Sequence, residues 1–349
     1  MLNGFFDAVK RHGKGEARMK SKFLLLVLGL VITAIFLSPG SPLPAAQQPN
    51  WNVWVKQLRT EAISQGIRPQ LFDAIFKDIR GPSRKVLSLD RRQPEGRLTF
   101  LKYRKTRADA FRIKLGRQEY RKHRQLLNEI GRRYGVSPCF IVALWGLESS
   151  YGRYMGNFPV VQSLATLAYD TRRSAFFRKQ LLYALHILNE GHVKLKDFKG
   201  EWAGASGQPQ FLPSSWRNYA VDHNNDGKKD IWKTHGDIFA SIANYLKQHG
   251  WKTDQPWAVE VRIPPHLNPT LANNKSVHKS VAEWRELGLR TVNGRPWPND
   301  QLQARLIHPY GGPYMLAFNN FGVIMKWNRS NYYAGTVGWT AEQICGRSL

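Results

Sequence analysis

Nine residues in a row, Cys139 to Leu147 (CFIVALWGL), carry no charge, and the next residue is Glu148. Ser137 and Pro138 precede them, a capping residue followed by a first-turn proline, so a helix is predicted from this point through Ser149. A helix that is apolar all round has no face for water and must be enclosed by other elements. The fold is therefore one built around a central helix. The carboxyl group at its end then needs a partner or a proton, because a bare buried charge is costly.

The surrounding sequence supplies the enclosing elements. Amphipathic helices are predicted at WNVWVKQLRTEAISQGI from Trp51, at RPQLFDAIFKDI from Arg68, and as one long basic helix from about Arg107 to Tyr134, stopped by Gly135. Others are expected from about Ser174 to Asn189, over GDIFASIANYLKQHGW, and over NYYAGTVGWTAEQIC at the end. EWAGASGQPQFLPSSW reads as a small-residue loop entering a short helix. Between Trp257 and about Trp327, short alternating runs such as WAVEVRI and PYMLAF, broken by Pro and Gly, predict a few strands. The fold class expected is mainly α, with a small irregular β part near the C-terminus.

The N-terminus has the layout of an export signal. Lys20 and Lys22 stand before fifteen largely apolar residues, Phe23 to Leu37, and a Pro/Ser/Ala-rich stretch offers a cut near Ala45 or Ala46. Met19 fits such a signal better as a start than Met1. An uncleaved membrane anchor is the alternative, and no Cys near the cut provides for a lipoprotein. The full chain carries 52 Lys+Arg against 25 Asp+Glu, a net +27. That excess calls for an anionic partner, such as an acidic wall polymer, a membrane or a nucleic acid. No zinc-finger pairs, RNP-like strand or basic recognition helix speaks for nucleic acid. Two cysteines, Cys139 and Cys345, are present; the sequence leaves open whether they meet.

A carboxyl group in apolar surroundings keeps its proton towards neutral pH, which is what a general acid needs to protonate a leaving oxygen. The other reading of Glu148 is a helix-end residue, solvated or paired with Arg153. WGLESSYGRYMGNFPVVQSLATLAYDTRRSAFF, EWAGASGQPQFLPSSWRNYAVDHNNDGKKDIW and DIFASIANYLKQHGW together resemble the membrane-bound lytic murein transglycosylase B family. The likeness runs from about Trp54, through DRRQPE, to VIMKWNRSNYYAGTVGWTAEQI. It implies a lysozyme-like catalytic core over 137–256, additional N-terminal helices over 47–136, and a segment over 257–349 that completes the substrate groove, after a signal and upstream extension over 1–46. It makes Glu148 the acid and base, and puts Arg172, Arg173, Gln210, Phe211, Tyr245, Asn328 and Tyr333 on the substrate.

The implied reaction cuts the β-1,4 bond between N-acetylmuramic acid and N-acetylglucosamine in peptidoglycan without water. Glu148 protonates the glycosidic oxygen, the substrate's N-acetyl group supports the developing cation, and Glu148 then takes the proton of the sugar's 6-hydroxyl, leaving a 1,6-anhydro end. One carboxylate suffices for this, whereas ordinary glycosidases use two; the downstream candidate for a second is Asp170. The rivals are a muramidase on the same fold and a non-catalytic, basic wall-binding protein. The partners expected are peptidoglycan glycan strands and other wall-synthesis or wall-hydrolysis proteins, with no nucleic acid, and the protein is expected to be a monomer in the periplasm.

DHNNDGKKD, Asp222 to Asp230, has oxygen-bearing side chains at positions 1, 3, 5 and 9 and Gly227 at position 6, as an EF-hand loop does, but Lys233 occupies position 12. The resemblance implies a shortened calcium loop with side chains from Asp222, Asn224 and Asp226, the Lys228 carbonyl and Asp237. The ion's role would be structural, and no organic cofactor is expected. An Asx-rich turn without an ion is the other reading. Ser206, Pro209 and Trp327 depart from residues frequent in the family.

Overall fold

The structure is a computed structural model that describes residues 49–92 and 98–346. The export segment and part of the DRRQPE motif lie outside the described residues. The chain begins with α1 (Trp51–Ser64), α2 (Pro69–Phe76) and α3 (Arg84–Arg91), then α4 (Phe100–Arg107), α5 (Ala110–Lys122) and α6 (Arg124–Tyr134). The central helix α7 (Pro138–Ser149) leads through β1 (Phe158–Pro159) to α8 (Val160–Tyr169) and α9 (Ser174–Asn189). After β2 (Lys199–Gly200) come α10 (Pro213–Tyr219) and α11 (His235–Gln248). The C-terminal part holds β3 (Ala258–Arg262), β4 (Lys279–Ser280), α12 (Val281–Glu286), β5 (Arg290–Thr291), β6 (Gln303–Ile307), β7 (Tyr314–Ala317), α13 (Asn319–Trp327) and α14 (Asn331–Cys345). The fold is mainly helical with a small β part near the C-terminus, as the sequence predicts.

Every residue of α7 from Cys139 to Ser149 is buried. Pro138 sits in the first turn, but Ser137 makes no side-chain capping bond, so the proline and the apolar run define this helix start. The long basic helix expected over 107–134 is three pieces. Asp109 caps α5 by accepting from Arg112 N at 2.8 Å, which separates α5 from α4. A second break falls at His123, whose ring packs against Trp145, His235 and Phe239. Gly135 does end α6, in the left-handed conformation (φ +67°).

The larger sheet runs β4-β6-β7-β3-β5, each neighbour antiparallel. Its two faces serve two cores. Ala258, Ile307, Met315 and Ala317 join the main core around α7, while Val259, Val261, Leu306 and Leu316 face a second core with Trp284 and Phe318. Period-two alternation makes this division possible, since neighbouring side chains on a strand point to opposite faces. Cys139 and Cys345 form a disulfide with a Cα–Cα distance of 6.0 Å, joining the start of α7 to the end of α14. Among the described residues no helix is long and apolar enough to cross a membrane.

Candidate active site

The backbone turns sharply after Glu148. Ser150, Tyr151 and Gly152 are all left-handed, at φ 53°, 63° and 80°, and two of them carry side chains that disfavour this region. Surrounding groups hold the turn. Gly152 N donates to Ser149 Oγ at 2.9 Å, Arg112 donates to Ser150 Oγ through Nε and Nη2, and Tyr151 Oη donates to the Arg112 carbonyl at 2.9 Å. Below the turn, Gln208 accepts from Trp145 Nε1 at 2.7 Å and donates to the Trp232 carbonyl at 2.8 Å. Gly152 is needed beside it, because a Cβ there would lie 2.5 Å from Gln208 Oε1. Gln208 stands out as a positioning residue only in the structure; in the sequence it is one polar residue in a glycine-rich loop.

Glu148 is 7% exposed. Burial pushes its carboxyl up to about 7, and hydrogen bonds from Tyr333 and Trp327 pull part of the way back. The Tyr333 hydroxyl donates to Glu148 Oε1. Tyr333 itself is raised well above its ordinary value, first by burial and then by the Glu148 charge, so it is a donor at any physiological pH.

Glu148 opens into a groove of about 1020 Å³, counting space open to solvent, lined also by Gln210, Phe211, Tyr245, Trp327 and Asn328. Four of the expected substrate residues thus meet around the acid, and Tyr333 touches it directly. Phe211 and Tyr245 form an aromatic wall with Trp327, at ring distances of 5.3 Å and 4.6 Å. The Tyr245 hydroxyl is committed to the Lys326 carbonyl at 2.7 Å, so Tyr245 offers the groove a ring and no donor. Gln210, left-handed at φ 53°, donates its amide to the Gly207 and Met155 carbonyls.

Arg172 and Arg173 stand elsewhere. Both guanidinium groups bind Asp90, a residue 4% exposed on α3, and neither lines the groove. Arg173 lies over the Phe177 ring, 5.1 Å from its centre, and that ring does line it. Asp170 caps the turn at Arg172 N (3.1 Å) and faces Arg91 at 3.8 Å. The second carboxylate lining the groove is instead Glu201, the first residue of the quoted EWAGASG loop. Two residues of α4 are coupled to Glu148: its charge adds to burial in raising the Tyr103 phenol, and Arg107 favours the ionised form of Glu148. The basic helix pattern gave no signal for either.

In the 222–230 loop, Asp237 is fully buried and accepts from His223 N and Asp230 N, both at 2.8 Å. Asp222 accepts from Asp226 N and Gly227 N, and Asp226 accepts from Lys228 N and Asn224 Nδ2. Asp230 turns to Trp232 N and Lys233 N, outside the expected ligand set. Among the described residues no group of three or more His, Cys, Asp or Glu side chains converges closely enough to hold a metal ion.

The profile of the Transglycosylase SLT domain matches residues 50–342. Membrane-bound lytic murein transglycosylase B of Escherichia coli (strain K12) is 33% identical over 248 residues, 70% of this chain and 66% of that protein. The match thus spans just under two thirds of that relative. SltB3 from Pseudomonas aeruginosa, solved in complex with NAG-anhNAM-pentapeptide, superposes with a TM-score of 0.81 at 42% identity, covering 85% of this chain and 80% of that one. The Escherichia coli lytic transglycosylase Slt35 in complex with calcium gives 0.72 at 30% identity, covering 86% and 93%. These neighbours carry the lysozyme-like fold expected from the sequence. A central helix ending in a buried acid, an aromatic groove in front of it, and a domain match over nearly all the described residues lead to one assignment: the chain belongs to the Transglycosylase SLT domain family.

Proposed function

We propose that the protein is a peptidoglycan lytic transglycosylase in which Glu148 alone is acid and then base. The observation that carries this reading is a buried carboxyl group, raised to about 7, in a groove walled by Phe211, Tyr245 and Trp327. At neutral pH a large share of Glu148 is protonated and gives its proton to the glycosidic oxygen between N-acetylmuramic acid and N-acetylglucosamine. The carboxylate left behind keeps the Tyr333 bond, which favours the charged form, and then takes the proton of the 6-hydroxyl. The proton returns to Glu148 and a 1,6-anhydro end leaves. Phe211, Tyr245 and Trp327 supply faces for pyranose rings, and Gln210 and Asn328 supply polar contacts. Arg172 and Arg173 act through Asp90 and Phe177, shaping the wall more than touching the sugar. The substrate is taken to be peptide-bearing glycan strands, which fits the ligand of the related SltB3.

Glu201 favours retaining a second reading. A second carboxylate in the groove is what a hydrolytic muramidase would use to activate water. The two readings separate by product: digestion of purified peptidoglycan, read by mass spectrometry, yields muropeptides lighter by one water if the transglycosylase reading holds. Hydrated reducing ends that disappear in Glu201→Gln would establish the muramidase.

We infer that the 222–237 loop takes up calcium, its side chains drawing together around the ion. Asp237 is raised by burial, and the Asp222 and Asp226 charges add to that rise, so three acids share one oxygen-rich turn. Asp222, Asn224, Asp226, the Lys228 carbonyl and Asp237 would hold the ion, whose part is to neutralise them and fix the loop. Export through the N-terminal signal would place the protein at the wall, in the periplasm. The division 47–136, 137–256 and 257–349 remains our reading of its domains.

A further inference from the structure

A second groove lies on the flank of α4 opposite the one that carries Tyr103. Its lining includes five cations, Arg104, Lys105, Lys114, Arg117 and Arg121, and a single carboxylate, Asp109, whose oxygen is already spent capping α5. Among the described residues none of the five makes an ion pair. Arg104 lies over the Trp339 ring at 4.7 Å and feels the Glu260 charge, and Arg117 donates to the Gln343 carbonyl; the other three have their charges in water. Between Leu98 and Arg124 the chain holds ten Lys+Arg against two Asp+Glu. Like charges gathered this way repel one another, so the arrangement is stabilised by an anionic counterpart.

The same two helices carry apolar side chains into water. Phe111 is 66% exposed and Leu101 49%, and Leu98 just before α4 is 39% exposed. A soluble polyanion, including the acidic peptides of the wall, would be served by the cations and would gain nothing from a projecting phenyl ring. A bilayer takes both: apolar side chains and Trp339 enter the interface while the Lys and Arg side chains reach lipid phosphates.

We propose that this face, from Leu101 to Arg121 with Trp339, docks the protein on an anionic phospholipid surface independently of the N-terminal apolar run. Tyr103, on the same helix, meets Tyr332 and feels the Glu148 charge. Helix α4 thus turns one side to the membrane and another towards Glu148.

The test uses residues 47–349, which lack the apolar run yet keep both cores, since their members span Trp51 to Ile344. The protein is sedimented with vesicles of phosphatidylethanolamine and phosphatidylglycerol, and with phosphatidylcholine alone. Binding to the anionic vesicles that falls with salt is expected. The triple variant Lys105→Glu, Lys114→Glu, Arg121→Glu should weaken it at least about tenfold, and Leu101→Ser with Phe111→Ser should weaken it without changing the charge. A control of equal charge change, Lys56→Glu, Lys196→Glu, Lys275→Glu, should retain most binding, and equal melting temperatures show that all variants fold. Three results overturn the proposal: no binding of the parent protein to phosphatidylglycerol vesicles, equal losses in the two triple variants, or a groove variant that keeps vesicle binding but loses retention on insoluble peptidoglycan.

Discussion

Glu148 sets the pH behaviour of the protein in two ways. In the proposed mechanism it must hold its proton, so turnover should fall as pH rises through about 7, and Glu148→Gln, which keeps size but cannot titrate, should abolish product. Folding stability changes over the same pH range. Below the ordinary carboxyl value of 4.5 both folded and unfolded chains carry the proton; between 4.5 and about 7 only the folded chain does, so stability falls as pH rises and levels off above 7. The loss amounts to roughly 3 kcal/mol if Glu148 acts alone. Urea unfolding at pH 4 and pH 8 should therefore show Glu148→Gln gaining on the parent protein at pH 8; equal differences at both pH values would refute the raised carboxyl. Gln208 is the second residue whose removal has a definite consequence. Gln208→Ala would strand the Trp145 indole N–H and the Trp232 carbonyl inside the protein, a destabilisation of about 2–4 kcal/mol. Denaturant midpoints would measure it, and a change under about 0.5 kcal/mol would mean that water replaces the amide.

At the scale of elements, the 222–237 loop gives the clearest test. Asp222, Asn224 and Asp226 lie in the turn, and the buried Asp237 on α11 ties it down through the amides of His223 and Asp230. Calcium added to chelator-treated protein should raise the melting temperature, and Asp226→Asn should reduce that rise. A melting temperature indifferent to calcium would leave the loop an Asx-rich turn. How well elements could be read from sequence depended on where their signals lay. Helix α7 was legible because no surface helix is apolar all round, and β3 and β7 because their alternation separates two cores. The break at His123 was not, since no Gly or Pro marks it and its cause is a ring packed on residues of α7 and α11. The pairing of Arg172 and Arg173 was hidden for a related reason: an adjacent pair of arginines looks free in sequence, while the fold sets Asp90, more than eighty residues upstream, against both.

The whole molecule is organised around one antiparallel pair. Helices α7 and α14 are joined at one end by the Cys139–Cys345 disulfide, and at the other by the hydrogen bond from Tyr333 to Glu148. The Tyr333–Glu148 contact spans 185 residues of sequence, and the disulfide 206. A crosslink that closes so long a loop restricts the unfolded chain strongly, so its loss should destabilise the protein by about 2–4 kcal/mol. The double variant Cys139→Ser, Cys345→Ser should melt several degrees lower, while the parent protein, unfolded without reductant, should present no free thiol. Its activity well below the melting point should persist, because Gly338 fits closely against Trp257 and Gly335 against Phe100, holding α14 in place without the bond. If activity fell at low temperature while melting hardly changed, the disulfide would be acting on the Tyr333–Glu148 geometry directly. The bond would then belong to the catalytic apparatus as well as to the fold.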